Sequence, residues 1–191
     1  MISILVSISF APILLSIRPT PAFEGTNPMS LRQLYRASPL GCVGMLLLGG
    51  VFSSQFGMAA IFGSVAELRL AQISSFVSAF YVGAMVLQYP IGWFSDRMDR
   101  RLLIALVSVL GTVAAVLGIF AWSSFAVLLC TAFLIGGMSN PLYSLLIAYT
   151  NDFLEHEDMV AASSGLLFIN GLGAVNGLLV LGWMIDRFGP S

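Results

Sequence analysis

The residues best suited to chemistry lie in one stretch, Gly92-Trp93-Phe94-Ser95-Asp96-Arg97-Met98-Asp99-Arg100-Arg101, where two acids and three bases follow an apolar run. Mixed charge at the edge of an apolar segment suits the making and breaking of ion pairs, not bond cleavage. Asp96 stands where ionisation is affordable; it would cap a neighbouring helix N-terminus or pair with an arginine. Arg97, Arg100 and Arg101 would reach carboxylates at other helix ends, with Asp152 the best candidate. A basic loop that only fixes topology is the plainer alternative. A second group is polar, uncharged and embedded in apolar runs: Ser53, Ser54 and Gln55, then Ser139, Asn140 and Tyr143, then Asn170 and Asn176. Polar groups in lipid cost energy unless paired or wet. Gln55, Asn140, Tyr143 and Asn170 are therefore candidates for a substrate path, with hydrogen bonding between helices as the competing role. Pro141 removes a backbone hydrogen bond and predicts a kink.

The elements that must position these residues follow from composition. Of 191 residues, 58% are hydrophobic and 9% charged, and the mean hydropathy is +0.96. A soluble domain carries about a quarter charged residues, so this surface must face something apolar, and the lipid bilayer is the simplest partner. Eight arginines, no lysine and a net charge of -1 exclude a broad basic surface for nucleic acid. Cys42 and Cys130 sit in apolar runs and read as small buried hydrophobes. His156 stands between Glu155 and Glu157 without grouped partners. No metal site and no cofactor are expected. With no HExxH, no GxSxG and no mid-span acid pair, an enzyme is not expected either.

Five stretches reach the length of about 20 residues that a bilayer requires, at 40–66, 72–95, 102–122, 125–150 and 160–184. No charge falls within them, and Glu67 lies just past the first. Residues 1–17 read as a partial transmembrane helix, since no Lys or Arg precedes Phe10 as a signal peptide would want. Residues 18–37, with Pro19, Pro21 and Pro28, read as a cytoplasmic linker, its Ser30–Arg36 part a short surface helix. Residues 38–191 form the bundle. Helix is the economical choice for lone spans despite their many glycines, because lipid leaves no other partner for the backbone, and small residues let helices approach closely. The fold class is thus all-α, a polytopic transmembrane helix bundle. Six arginines on one side against two on the other place the linker and the 96–101 loop in the cytoplasm. Loop 151–159 is acidic but shares that side. Trp93, Trp122 and Trp183 near span ends suit an interfacial belt.

The stretch from Gly92 to Arg101 resembles the G-x-x-x-D-R-x-G-R-R signature of major facilitator superfamily transporters. Gly92, Asp96, Arg97, Arg100 and Arg101 match, and Asp99 replaces a glycine, which puts a tight glycine turn in doubt. Gly92 would permit close contact at the helix end. The preceding Gln88-Tyr89-Pro90-Ile91-Gly92 is also similar to the family. The resemblance implies the C-terminal half of a secondary transporter that moves a small organic solute by alternating access. It implies an N-terminal half as partner, on the same chain or a separate one, and links at the signature that break as the cytoplasmic side opens. Gly182-Trp183-Met184-Ile185-Asp186-Arg187 repeats the signature's start 90 residues later. A weaker echo links Leu48-Gly49-Gly50 with Ile135-Gly136-Gly137. Both fit two inverted three-helix repeats, with a further helix expected after Ser191 and the chain expected to be a fragment. A non-transporting subunit or scaffold that pairs with another half is the alternative.

Overall fold

The computed structural model describes residues 29–119 and 124–188. The expected partial helix 1–17, the proline-rich part of the linker and Trp122 lie outside the described residues. A short helix α1, Leu31–Ala37, leads into five long ones. These are α2 (Pro39–Val65), α3 (Leu70–Ser95), α4 (Arg100–Ile119), α5 (Phe125–Asn151) and α6 (Met159–Phe188). All five are long and apolar enough to cross a membrane. The predicted spans and the observed helices agree to within a few residues at most ends.

Local sequence sets the boundaries at the arginine-rich end. Ser30 caps α1, its hydroxyl accepting from the Gln33 amide while Gln33 Oε1 accepts from the Ser30 amide at 2.9 Å. Ser38 caps α2, ahead of Pro39 at the first helical position, where a missing N–H costs nothing. The Ser38 hydroxyl also lies 3.1 Å from Thr150 Oγ1, tying the start of α2 to the end of α5.

The helices run alternately up and down, and α5 packs against α2, α3, α4 and α6. The main core gathers Leu34, Met45, Leu48, Leu103, Leu146 and Leu166 towards the arginine-rich side, and a smaller cluster of Ala59, Phe76, Phe80 and Ala132 lies on the other. Outer faces are apolar: Leu47 is 67% exposed, Leu179 68% and Met85 81%. Each such side chain left in water would forgo about 1.5–3 kcal/mol. Dozens of them on one small surface make lipid the solvent. The protein is a multi-pass integral membrane protein.

Two helix pairs touch backbone to backbone. A Cβ on Gly83 of α3 would overlap the carbonyl of Phe133 in α5, and one on Gly136 would overlap the carbonyl of Phe80. In the second pair, a Cβ on Gly173 of α6 would overlap the carbonyl of Leu46 in α2, and one on Gly49 would overlap that of Asn170. The two sets correspond residue for residue, with α3 and α6 90 positions apart and α2 and α5 87 apart. The repeat visible in the sequence is therefore also a repeat of contacts, in which the first helix of each triple packs on the second helix of the other.

The first helix of each triple is also disturbed at the same level. Helix α2 widens into a π-helix over Ser53–Met58, and Pro141 lies in the corresponding part of α5. The Ser53 and Ser54 hydroxyls donate to the carbonyls of Gly50 and Val51, each at 2.7 Å. Pro141 does not end its helix: α5 runs from Phe125 through Pro141 to Asn151. Side chains of Ser139 and Asn140 donate to the Gly136 carbonyl at 3.4 and 3.1 Å, supporting the turn that the proline weakens.

Candidate functional site

The charged stretch forms the turn between α3 and α4. Arg100, the first residue of α4, is ion-paired with Asp152 at the end of α5. Its guanidinium also donates to the Ala148 carbonyl at 3.3 Å. A cation thus meets both the partial negative charge of a helix C-terminus and a full carboxylate. The pair is half-open to solvent, with side-chain exposures of 30% and 48%, so water and salt weaken it and it can exchange partners. Around it lies an open cavity of about 640 Å³ lined by Asp96, Asp99, Arg101, Tyr149 and Phe153.

The other signature residues divide in ways that the motif does not announce. Arg97 lies 4.0 Å over the Trp93 ring and donates to the Trp93 carbonyl at 3.1 Å, so it secures the end of its own helix. The capping role expected of Asp96 belongs to Asp99, whose carboxylate accepts from the backbone N–H of Arg101 at 2.7 Å and of Leu102 at 3.3 Å. The reason is position: Asp96 terminates α3, where the helix dipole disfavours an acid, whereas Asp99 immediately precedes α4, where it is favoured. Asp96 is exposed and, like the Arg101 guanidinium, has no hydrogen-bond or ionic partner among the described residues. The tight glycine turn is not needed here, because Glu67 is the non-glycine with left-handed φ among the described residues. Close contact at Gly92 is also absent: a Cβ there would meet nothing within 4 Å, as would one at its counterpart Gly182. Gly92 instead borders a cavity that it shares with Arg100, Pro141 and Ala148.

The four polar residues expected along a path also separate. Gln55 is 3% exposed and Asn170 8%, so neither lies on an open face. Gln55 Nε2 donates to Ser139 Oγ at 2.8 Å, and Asn170 Nδ2 donates to the Met45 carbonyl at 3.0 Å. They hold α2 to α5 and α6 because a lone amide in a dry interior must find a partner. Asn140 and Tyr143 are half-buried. Asn140 donates to its own helix at Gly136, while the Tyr143 hydroxyl has no hydrogen-bond partner among the described residues.

Residues 40–191 match the family model for the Major Facilitator Superfamily. The chain belongs to the Major Facilitator Superfamily. Among its curated relatives is a protein named "Uncharacterized MFS-type transporter YcaD" from Escherichia coli O17:K52:H18 (strain UMN026 / ExPEC). It is 26% identical over 168 residues, covering 88% of this chain and 43% of the relative. The protein of the same name from Escherichia coli O6:K15:H31 (strain 536 / UPEC) is 25% identical over 172 residues, covering 90% of this chain and 44% of its own length. This superfamily chain therefore spans less than half the length of those relatives.

Sequence reasoning passed over Asp99 as a cap, although an acid immediately before a helical run is the ordinary signal. It also passed over the π-helix and the aromatic side chains Phe52, Phe56 and Tyr81. The Ser-Ser-Gln-Phe-Gly run marks a disturbed helix but does not say of which kind.

Proposed function

We propose that this chain is the C-terminal half of a secondary transporter, working with an N-terminal half to move a small organic solute by alternating access. The Arg100–Asp152 pair is the observation that carries the reading. It bridges α4 and α5 at the arginine-rich side, which we assign to the cytoplasm, and it sits within the family's signature. Its partial exposure makes it a link of modest strength, suited to a gate that must open on every cycle. The Gln55–Ser139 contact braces α2 against α5, the helix that carries Asn140 and Tyr143, the residues we assign to the wall of the path. Membership of a transporter family, rather than any feature of one residue, argues against catalysis.

The test uses the protein in its native membranes, expressed from its own locus. A cysteine replaces Tyr143 in a background with Cys42→Ala and Cys130→Ala, and a membrane-impermeant maleimide is applied from the cytoplasmic side. Asp152→Ala should raise the labelling rate about two- to fivefold, the effect of losing an exposed pair worth up to about 1 kcal/mol. Exchanging the charges, Arg100→Asp with Asp152→Arg, should return the rate towards the starting value. Equal rates in all three proteins would refute the gate.

A further inference from the structure

Four aromatic rings form a continuous run across α2, α3 and α5. Phe52 and Phe56 are one turn apart with ring centres 5.5 Å from each other, Phe52 lies 6.1 Å from Tyr143, and Phe56 lies 5.5 Å from Tyr81. Phe52 is the middle residue of α2, and Tyr81 lies close to the middle of α3. The run therefore sits near mid-membrane depth. Phe56 belongs to the π-turn, and Phe56 and Tyr143 are counterparts in the two repeats, 87 positions apart.

The rings of this run meet at tilted angles, as Phe62 and Phe76 also do at 42°. The run's interplanar angles are 42°, 37° and 33°. Phe76–Phe80, Trp93–Phe94 and Tyr149–Phe153 meet edge to face at 69°, 86° and 68°, the arrangement that satisfies ring quadrupoles internally. The four rings instead stay tilted to one another, and the run is open: Phe56 is 48% and Tyr81 56% exposed. Neither tyrosine hydroxyl has a hydrogen-bond partner among the described residues. Facing plain acyl chains, each would forgo a hydrogen bond at a cost of about 1–3 kcal/mol. An occupant with its own polar atoms removes that cost. No Asp or Glu lies at this depth in α2, α3 or α5, so a cation would find ring faces but no counter-charge.

We propose that Phe52, Phe56, Tyr81 and Tyr143 form the substrate surface of this half, and that the solute it takes is neutral and planar, with a ring that stacks on Phe56 and Tyr81 and a polar atom that meets a tyrosine hydroxyl. This deepens the transporter reading above and rests on it.

The probe is 1-aminoanthracene, a neutral planar amine. It is titrated into protein purified from its native membranes and held in nanodiscs of phosphatidylethanolamine and phosphatidylglycerol, with protein-free discs subtracted. Saturable fluorescence enhancement is expected. Phe56→Ala with Tyr81→Ala should weaken binding about tenfold, as expected for losing two stacking partners. Phe56→Tyr should keep it. Both side chains are about half exposed, so their removal opens no core cavity, and Tyr81→Phe serves as the second variant, isolating the hydroxyl. Enhancement no greater than in empty discs, or equal affinity in the double alanine protein, overturns the proposal, and so does displacement of the probe by sorbitol. The maleimide measurement reads gating without any ligand. Ring binding that fails while gating is intact sinks this proposal alone, whereas gating that fails sinks the transporter reading itself.

Discussion

Alanine at Gly83 or Gly173 should loosen the bundle, while alanine at Gly171 or Gly182 should not. A glycine in a helix interior costs about 0.5–1 kcal/mol relative to alanine, so every one of these substitutions begins with a small gain. At Gly171 and Gly182 the new methyl meets nothing within 4 Å, and the gain should stand. At Gly83 it runs into the Phe133 carbonyl, and at Gly173 into the Leu46 carbonyl. These are backbone atoms within helices and cannot rotate aside as a side chain does. The helices must separate, which costs about 1–3 kcal/mol. The net change is a loss of about 0–2.5 kcal/mol, centred on about 1 kcal/mol or a factor of about 5 in the folded fraction at equilibrium. It should be similar at the two sites, because they are counterparts in the repeat. The assay is loss of helical circular dichroism as dodecyl sulfate is titrated into mixed micelles, with all four variants run in parallel. If Gly83→Ala and Gly173→Ala unfold at or above the wild-type midpoint, the close helix approach is wrong, and with it the contact-level repeat.

Two further outcomes follow from side-chain roles that the structure assigns. Asp99→Ala should cost about 1 kcal/mol in the same unfolding assay through loss of the α4 cap; Asp99→Asn should restore most of it, and an alanine variant indistinguishable from wild type would deny the cap. The Gln55→Leu and Ser139→Ala variants, alone and combined, should show a coupling of about 0.6 and at most about 1.7 kcal/mol, the range for hydrogen bonds between membrane helices; strictly additive effects would mean that the contact contributes nothing.

The helices were legible because lipid imposes one rule on every span. Uninterrupted apolar runs such as 102–119 have no alternative to helix, and caps such as Ser30 and Ser38 fall where serine and proline signals are strongest. The Arg100–Asp152 pair was legible for a related reason: with few charges in the chain, each has few possible partners. Side-chain direction was not legible. Gln55 and Tyr143 both read as polar residues in the middle of spans, but one hydrogen-bonds across the α2–α5 contact and the other sets its ring against Phe52. That difference depends on helix rotation, and the π-turn at Ser53–Met58 shifts the register of every residue beyond it. A period of 3.6 puts Phe52 and Phe56 on one face, but it does not show that Tyr81 and Tyr143, on other helices, come against them. Asp96 and Asp99 differ for a simpler reason. They are three residues apart in one loop, and only the boundary between α3 and α4 decides which of them faces bare N–H groups.

The placement of the disturbed turns bears on how such a bundle can move. Helix α2 is widened at Ser53–Met58, and α5 lacks one backbone donor at Pro141. In each, carbonyls near the disturbed turn are met by local side chains, from Ser53 and Ser54 in one and from Ser139 and Asn140 in the other. Bending at either place therefore exchanges few hydrogen bonds, whereas a regular turn resists it. The Gln55–Ser139 contact joins the two levels directly, so a bend in α2 is felt in α5. In the transporter proposed above, α5 would carry such a motion along its length to Asp152, 13 residues beyond Ser139. The chain thus sets close backbone contacts at the glycine crossings, disturbed turns at mid-depth and a part-exposed ion pair at the arginine-rich end. If this half rocks as proposed, the glycine-crossed pairs would move as units, joined by turns and charges that yield.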